Sequence, residues 1–204
     1  MPKPLIKFRA ANPIFDEGQV YARYLDQAAE GFFRFMLGRR SVDIIATAFT
    51  QPGHDLSYQN VTFAEREKII VGMVSGYTAE QHRRSSDRPL KQAAGRFNLQ
   101  MMVVSTLFAP LFRIIDTIAD NDFYIQAMAV DKELRGEGVG SALMDFVEDH
   151  ARAYGSTTRL SLDVSAGNKG AHKLYEHRGM TVESQWPKRL AIPGVKFFRM
   201  VKAL

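Results

Sequence analysis

Hydrophobic and polar positions along this chain change period several times, and each change marks an element. Ile6 and Phe8 alternate with Lys7 and Arg9, which predicts a strand over residues 5–10. Val20, Tyr24, Ala28, Phe32 and Phe35 or Met36 then recur at helical spacing, after a candidate cap at Asp16 and up to a stop at Gly38. Ser41 is placed to cap a second helix through Ile44, Ile45, Ala48 and Phe49, ending before Pro52-Gly53. Residues 56–64 and 68–79 read as two antiparallel strands, joined by a turn at Glu65-Arg66-Glu67.

Residues 81–120 break this rhythm. A polar run from Arg83 to Pro89 leads into an apolar stretch interrupted by Pro110, which predicts two helices kinked or separated at that proline. Asn98, Gln100, Arg113 and Asp116 keep the continuous apolar part below the ~20 residues that a membrane span needs. The segment reads as a helical insertion. Extra core packing is its first expected role, and an acceptor-site lid or a dimer face is its second.

The rest alternates strand and helix. Residues 123–130 read as a buried strand, and Val139, Leu143, Phe146, Val147, His150, Ala151 and Tyr154 as a helix stopped by Gly155. A strand over 158–164, a helix over 168–178 stopped by Gly179, and strands over 181–185 and 195–202 follow, with a surface loop over 186–194. The expected fold is α/β (α+β), one domain over residues 1–204, with a mixed central sheet of about seven strands flanked by helices.

The chemistry concentrates at Arg135-Gly136-Glu137-Gly138-Val139-Gly140-Ser141, where a strand turns into a helix. The first N–H groups of a helix have no intrahelical partner, and the helix dipole favours an anion there. Glycines let phosphate or pyrophosphate approach that backbone, and Arg135 adds a fixed positive charge. A P-loop is excluded because no lysine separates Gly140 from Ser141. A dinucleotide fingerprint fits at Gly136 and Gly138 but meets Ser141 where its third glycine belongs. Asp163 at a later strand end keeps a nucleotide-dependent oxidoreductase on the table, although the first half of the chain lacks the strand–helix repeat that it requires.

Composition narrows the field. With 204 residues, 46% of them hydrophobic, the chain can core one domain. It has no cysteine, and its five histidines show no metal-ligand spacing, so no metal is expected. The net charge of +5 comes without a basic stripe interleaved with aromatics, which argues against nucleic acid. The first residues lack the apolar run of a secretion signal, so a cytoplasmic protein with no membrane association is the expectation.

Arg135-x-x-Gly138-x-Gly140 after a strand resembles the coenzyme A pyrophosphate loop of the GNAT acyltransferase superfamily. Tyr124 through Leu143 is similar to that family's first signature. Leu160 through Asn168, with Ala171-His172-Lys173-Leu174-Tyr175-Glu176 and Gly179-Met180, is similar to its second. The resemblance implies transfer of an acyl group, most often acetyl, from acetyl-CoA to an amine-bearing acceptor, a small molecule or a protein amine. Arg135, Gly136, Glu137, Gly138, Val139, Gly140 and Ser141 would hold the pyrophosphate. Backbone groups of Met128, Ala129 and Val130 would follow the pantetheine arm, with an N–H near Met128 or Ala129 at the thioester oxygen. Glu137 is expected to point its side chain to solvent and its N–H at the anion.

From the residues alone, Tyr175 reads as a core tyrosine paired with Met180 across the Gly179 stop, and Asn168 as a helix cap. The resemblance implies instead that Tyr175 serves as proton donor near the sulfur and that Asn168 contacts the cofactor arm. Many relatives carry a glutamate base on the first of these strands, and Gln126 stands at the matching position. Strand alternation puts Tyr124, Gln126 and Met128 on one face, so Tyr124 and Gln126 would hold a water. Glu80, His54 and Asp122 are further base candidates. Because glutamine cannot take a proton, a non-catalytic CoA-binding regulatory or scaffold protein is the alternative. Oligomeric state stays open, with a homodimer as one expectation.

Overall fold

The computed structural model describes residues 6–95, 99–107, 109, 117–187 and 196–204. A seven-stranded sheet runs in the order β1-β2-β3-β4-β5-β7-β6, built from β1 (Lys7–Ala10), β2 (Val61–Arg66), β3 (Ile69–Thr78), β4 (Asp122–Val130), β5 (Arg159–Ser165), β6 (Thr181–Trp186) and β7 (Phe197–Ala203). Neighbouring strands are antiparallel except β4 and β5, which are parallel.

Helices cover both faces. On one lie α1 (Phe15–Ala28), α2 (Phe32–Leu37) and α3 (Ser41–Phe49), which bury Tyr21, Leu25, Ile45 and Phe49 against Phe63 and Met73 of the sheet. On the other lie α7 (Val139–Arg152) and α8 (Lys169–His177), whose core joins Leu143 and Met144 to Leu160, Leu162, Met180 and Met200. The stripes of α3 and α7 are those that the helical spacing marked out, whereas α1 turns Tyr21 and Leu25 inward beside the expected Tyr24 and leaves Val20 and Ala28 only partly buried.

Local chemistry moved several boundaries. The single helical stripe expected from Glu17 to Gly38 is cut in two, because Glu30 and Gly31 adopt positive φ (52° and 87°). Neither Asp16 nor Ser41 caps; both lie inside the first turn of their helices. Residues 56–60 are not strand; Tyr58–Asn60 forms a 3-10 turn, and β2 begins at Val61. The β2–β3 turn is tighter than expected. Arg66 pairs with Ile69, leaving Glu67 and Lys68, both at positive φ, as a two-residue hairpin loop.

The insertion begins with three short helices: α4 (Ala79–Arg84), α5 (Arg88–Ala94) and α6 (Leu99–Leu107). Thr78 and Gln81 form a reciprocal capping box at the start of α4. Val104 of α6 is buried in the α1–α3 core, and Leu90, Ala93 and Met101 pack against it. Leu99, Met102, Val103 and Leu107 remain exposed. The break expected at Pro110 and most of the 186–194 loop lie outside the described residues. No helix among the described residues is long and apolar enough to cross a membrane.

Candidate active site

The centre of the sheet is split. β4 pairs with β5 only from Asp122 to Ile125, against Arg159 to Leu162, so the remainder of β4 has no register partner on β5. The cause lies at Gln126. On the β3 side, Ser75 faces Ala127 and Gly76 faces Ile125, so Gln126 is an extra, bulged residue. Bulges bend the strand that carries them and raise its twist. Gly76 makes room for this one: a Cβ there would fall 2.6 Å from the Phe123 ring and 2.7 Å from the Tyr124 carbonyl oxygen.

The bulge also resets which way side chains point. Tyr124 and Gln126 share the α1 face, as alternation predicts, but Met128 does not join them. Ala127 and Ala129 belong to the α1–α3 core, whereas Met128 and Val130 pack with the α7 side. One extra residue flips the parity of everything after it.

Both parallel strands end at helix N-termini beside the split. After β4, a 3-10 turn (Lys132–Leu134) leads through exposed Arg135 to Gly136 (φ 82°) and Gly138 (φ 91°), which is the N-cap of α7. The first intrahelical bond runs from the Ala142 N–H to the Gly138 carbonyl, 3.0 Å, so the Val139, Gly140 and Ser141 N–H groups precede the helical ladder. No heavy atom lies within 4 Å of a Cβ built on Gly136 or Gly138, leaving room for an anion over that backbone. Gly140 serves a different purpose: a Cβ there would press on the Leu174 side chain at 3.2 Å, so it lets α8 approach α7.

Glu137 departs from expectation. Its N–H donates to the Leu134 carbonyl (3.2 Å) rather than facing outward, and its carboxylate accepts from Arg66 on the β2–β3 hairpin (3.0 Å). Beyond the loop, the Val130 carbonyl accepts from Gln27 Nε2 (3.0 Å) and Asp131 from the Tyr24 hydroxyl (2.6 Å), tying the end of β4 to α1.

On α8, the Asn168 side chain accepts from the Ala171 N–H (3.1 Å), which is the capping geometry. Tyr175 is buried in the α7-side core, and burial pushes its phenol up to about 12. Gly179, at φ 81°, stops the helix, with Met180 beneath it.

On the α1 face, Gln126 Oε1 accepts from the hydroxyls of Tyr21 and Ser75, each at 3.2 Å. Burial raises the Tyr21 phenol well above its usual range. Tyr124 donates to Asp163 (3.0 Å), which is also held by both arms of Arg199 at 2.8 and 2.7 Å. Beside Tyr124 stands Tyr77, whose ring stacks on His82 (5.4 Å, 9° between planes). His82 Nδ1 lies 2.8 Å from Asp55 Oδ2.

The other base candidates are occupied. Glu80 is exposed and pairs with Arg84. His54 is buried against the Ala48 carbonyl (2.9 Å), and desolvation lowers its pKa. Asp122 is buried in a two-pronged pair with Arg159. Sequence reading missed His82 and Asp55; 27 positions separate them, no motif joins them, and only the start of α4 brings them together. Among the described residues, no group of three His, Asp or Glu side chains could hold a metal.

Comparison with known proteins agrees with this architecture. The acetyltransferase (GNAT) family model matches residues 27–180. No curated protein matches the chain in sequence. A solved acetyltransferase structure superimposes with a TM-score of 0.66 at 25% identity, covering 97% of this chain and 98% of that one. An N-acetyltransferase from Staphylococcus aureus Mu50 gives 0.66 at 16% identity, covering 96% and 100%. The ribosomal-protein-S18-alanine N-acetyltransferase from Escherichia coli gives 0.56 at 14%, covering 98% and 94%. With its family model spanning most of its length and its split, bulged sheet closed by a glycine-capped helix, the chain belongs to the GNAT acetyltransferase family.

Proposed function

We propose that the chain moves an acetyl group from acetyl-CoA to a primary amine by direct attack in a ternary complex. The observation that carries this reading is the split between β4 and β5 with the α7 N-terminus at its open end. Open α/β sheets bind ligands at the carboxyl ends of their strands, where strand connections diverge. An extended arm fits the split, and a pyrophosphate fits the first-turn N–H groups of Val139, Gly140 and Ser141, with Arg135 at the mouth.

In this reading, the backbone of Met128, Ala129 and Val130 follows the pantetheine, and an N–H near Met128 or Ala129 takes the charge that develops on the thioester oxygen. Asn168 has committed its side-chain oxygen to the helix cap, leaving its amide N–H groups for the arm. Tyr175 stays protonated at any ordinary pH, which suits a hydrogen-bond donor to the leaving sulfur. Gln126 presents two hydroxyls with its oxygen and so orients its amide N–H groups, able to hold a water but not to accept a proton.

That missing carboxylate favours a second reading, a CoA-binding protein without transferase activity. Thiol release from acetyl-CoA separates the two. With a pooled set of primary amines (a polyamine, a free amino acid and a peptide with a free N-terminus), amine-dependent release supports the transferase. Acetyl-CoA binding with no release from any amine would replace it with the non-catalytic reading.

A further inference from the structure

Gln126 stands at the apex of the split. The last paired residues of the two parallel strands are Ile125 and Leu162, and Gln126 is the next residue on β4. Ile125 and Ala127 beside it are buried, whereas Gln126 is partly exposed. Its side chain lies on the α1 face, and the glycine-capped helix lies on the other. An acceptor that meets the thioester from the α1 side therefore meets this amide.

The partners of the amide fix which end faces the opening. Tyr21 and Ser75 are buried, and both hydroxyls donate to Oε1. Turned the other way, the amide would set its own N–H groups against two buried hydroxyl protons. Nε2 is thus left on the open side. Among the described residues its two N–H groups have no acceptor, and they are not shut away from solvent. Two free donors at the point of attack suit an acceptor that carries a carbonyl oxygen close to its amine.

The chemistry of the amine leads to the same group. Attack needs a neutral nitrogen, and Gln126 cannot take a proton. At pH 7.5 a lysine-like amine is neutral in only about one molecule in a thousand, but an α-amine next to a peptide carbonyl is neutral in roughly a third. A site that offers donors and no carboxylate fits the second kind. A free carboxylate in place of the carbonyl would call for a cation, and Arg199, whose guanidinium lies over the Tyr124 ring, is already held by Asp163.

We propose that the acceptor is a peptide-type α-amine, a primary amine one carbon away from a neutral amide carbonyl, and that Gln126 Nε2 donates to that carbonyl oxygen. The inference rests on the transferase reading. The amine attacks in its neutral form, and the C–N bond forms as the C–S bond breaks. The proton shed by nitrogen ends on the departing CoA sulfur, so the step balances without a protein base.

The test measures kcat/KM near pH 7.5 for glycinamide and for propylamine, which matches it in length but has no carbonyl. Wild type, Gln126→Met and Gln126→Glu are compared, with acetyl-CoA affinity as the check that each is folded. The wild type is expected to prefer glycinamide by about 10²-fold or more. Part of that preference is the lower basicity of glycinamide, which is the same for every variant, so the change in preference isolates Gln126. Gln126→Met is expected to cut the preference about tenfold, as loss of one hydrogen bond does. Gln126→Glu should cut it further, because a carboxylate repels the carbonyl and can take the proton of propylamine. Triglycinamide is run beside glycinamide, since a peptide and a single amino acid amide present the same group; the faster of the two names the source. An unchanged preference in both variants, or glycine acetylated faster than glycinamide, would overturn the assignment and leave the transferase intact. Acetyl-CoA binding by the wild type with no thiol release from any amine would bring down the transferase reading, and this inference with it.

Discussion

Arg66, at the end of β2, donates to the carboxylate of Glu137 in the glycine loop at 3.0 Å, 71 residues away. The hairpin therefore neutralises the one acidic side chain set among the backbone donors proposed for pyrophosphate.

Removing the guanidinium takes one cation away from the carboxylate beside the proposed phosphate site. Glu137 is partly exposed, so the effect is modest. Arg66→Met is expected to weaken acetyl-CoA binding about threefold, and Glu137→Gln in the same chain to restore it. Calorimetric titration of both variants checks this. No loss in Arg66→Met would mean that the pair braces the loop without touching its electrostatics.

Gly76 allows the bulge that splits the sheet. In Gly76→Ala the new methyl meets a ring and a carbonyl closer than real Cβ atoms approach. Overpacking of this kind costs about 1–3 kcal/mol. For a chain of this size, that corresponds to a fall in Tm of roughly 2–12 °C. Acetyl-CoA affinity should fall with it, because β4 must straighten or Phe123 must move. Thermal unfolding and titration of the folded fraction test both effects.

Tyr175 lends itself to a two-part test. Tyr175→Phe is expected to bind acetyl-CoA normally and to lose about 10²-fold in kcat, as removal of a proton donor does. The phenol also leaves a stability signature. Between pH 10 and about 12 the unfolded chain has lost this proton while the folded chain keeps it, so stability falls as pH rises through that window. Tyr175→Phe should flatten part of that slope in denaturant titrations; Tyr21 and Tyr24, also raised by burial, supply the rest.

The sequence carried the plan of the fold because most elements announce themselves by period. The stripe from Val139 to Ala151, the alternation of Ile6 and Phe8, and the strand-to-helix turn at glycines 136 and 138 stand where the period put them, although the helix ends at Arg152, short of Tyr154 and of the stop expected at Gly155, which does not take a left-handed φ. What was hidden depends on register. Nothing in the letters of β4 signals that Gln126 is an extra residue; the bulge arises from its pairing with Ser75 and Gly76, and it alone sends Met128 to the far face. Glu137 was misjudged for a similar reason, since its partner Arg66 is set by the hairpin turn at Glu67 and Lys68. The pairing of His82 with Asp55 is long-range as well.

The measurement that bears most directly on the account is calorimetric titration of acetyl-CoA into the wild type and into Gly138→Asp. Gly138 holds φ at 91°, where a side chain is strained, and a carboxylate there would stand over the proposed phosphate site. The account predicts saturable 1:1 binding by the wild type and at least tenfold weaker binding by a folded Gly138→Asp. Equal affinity in the two proteins, or no binding by the wild type, would contradict it.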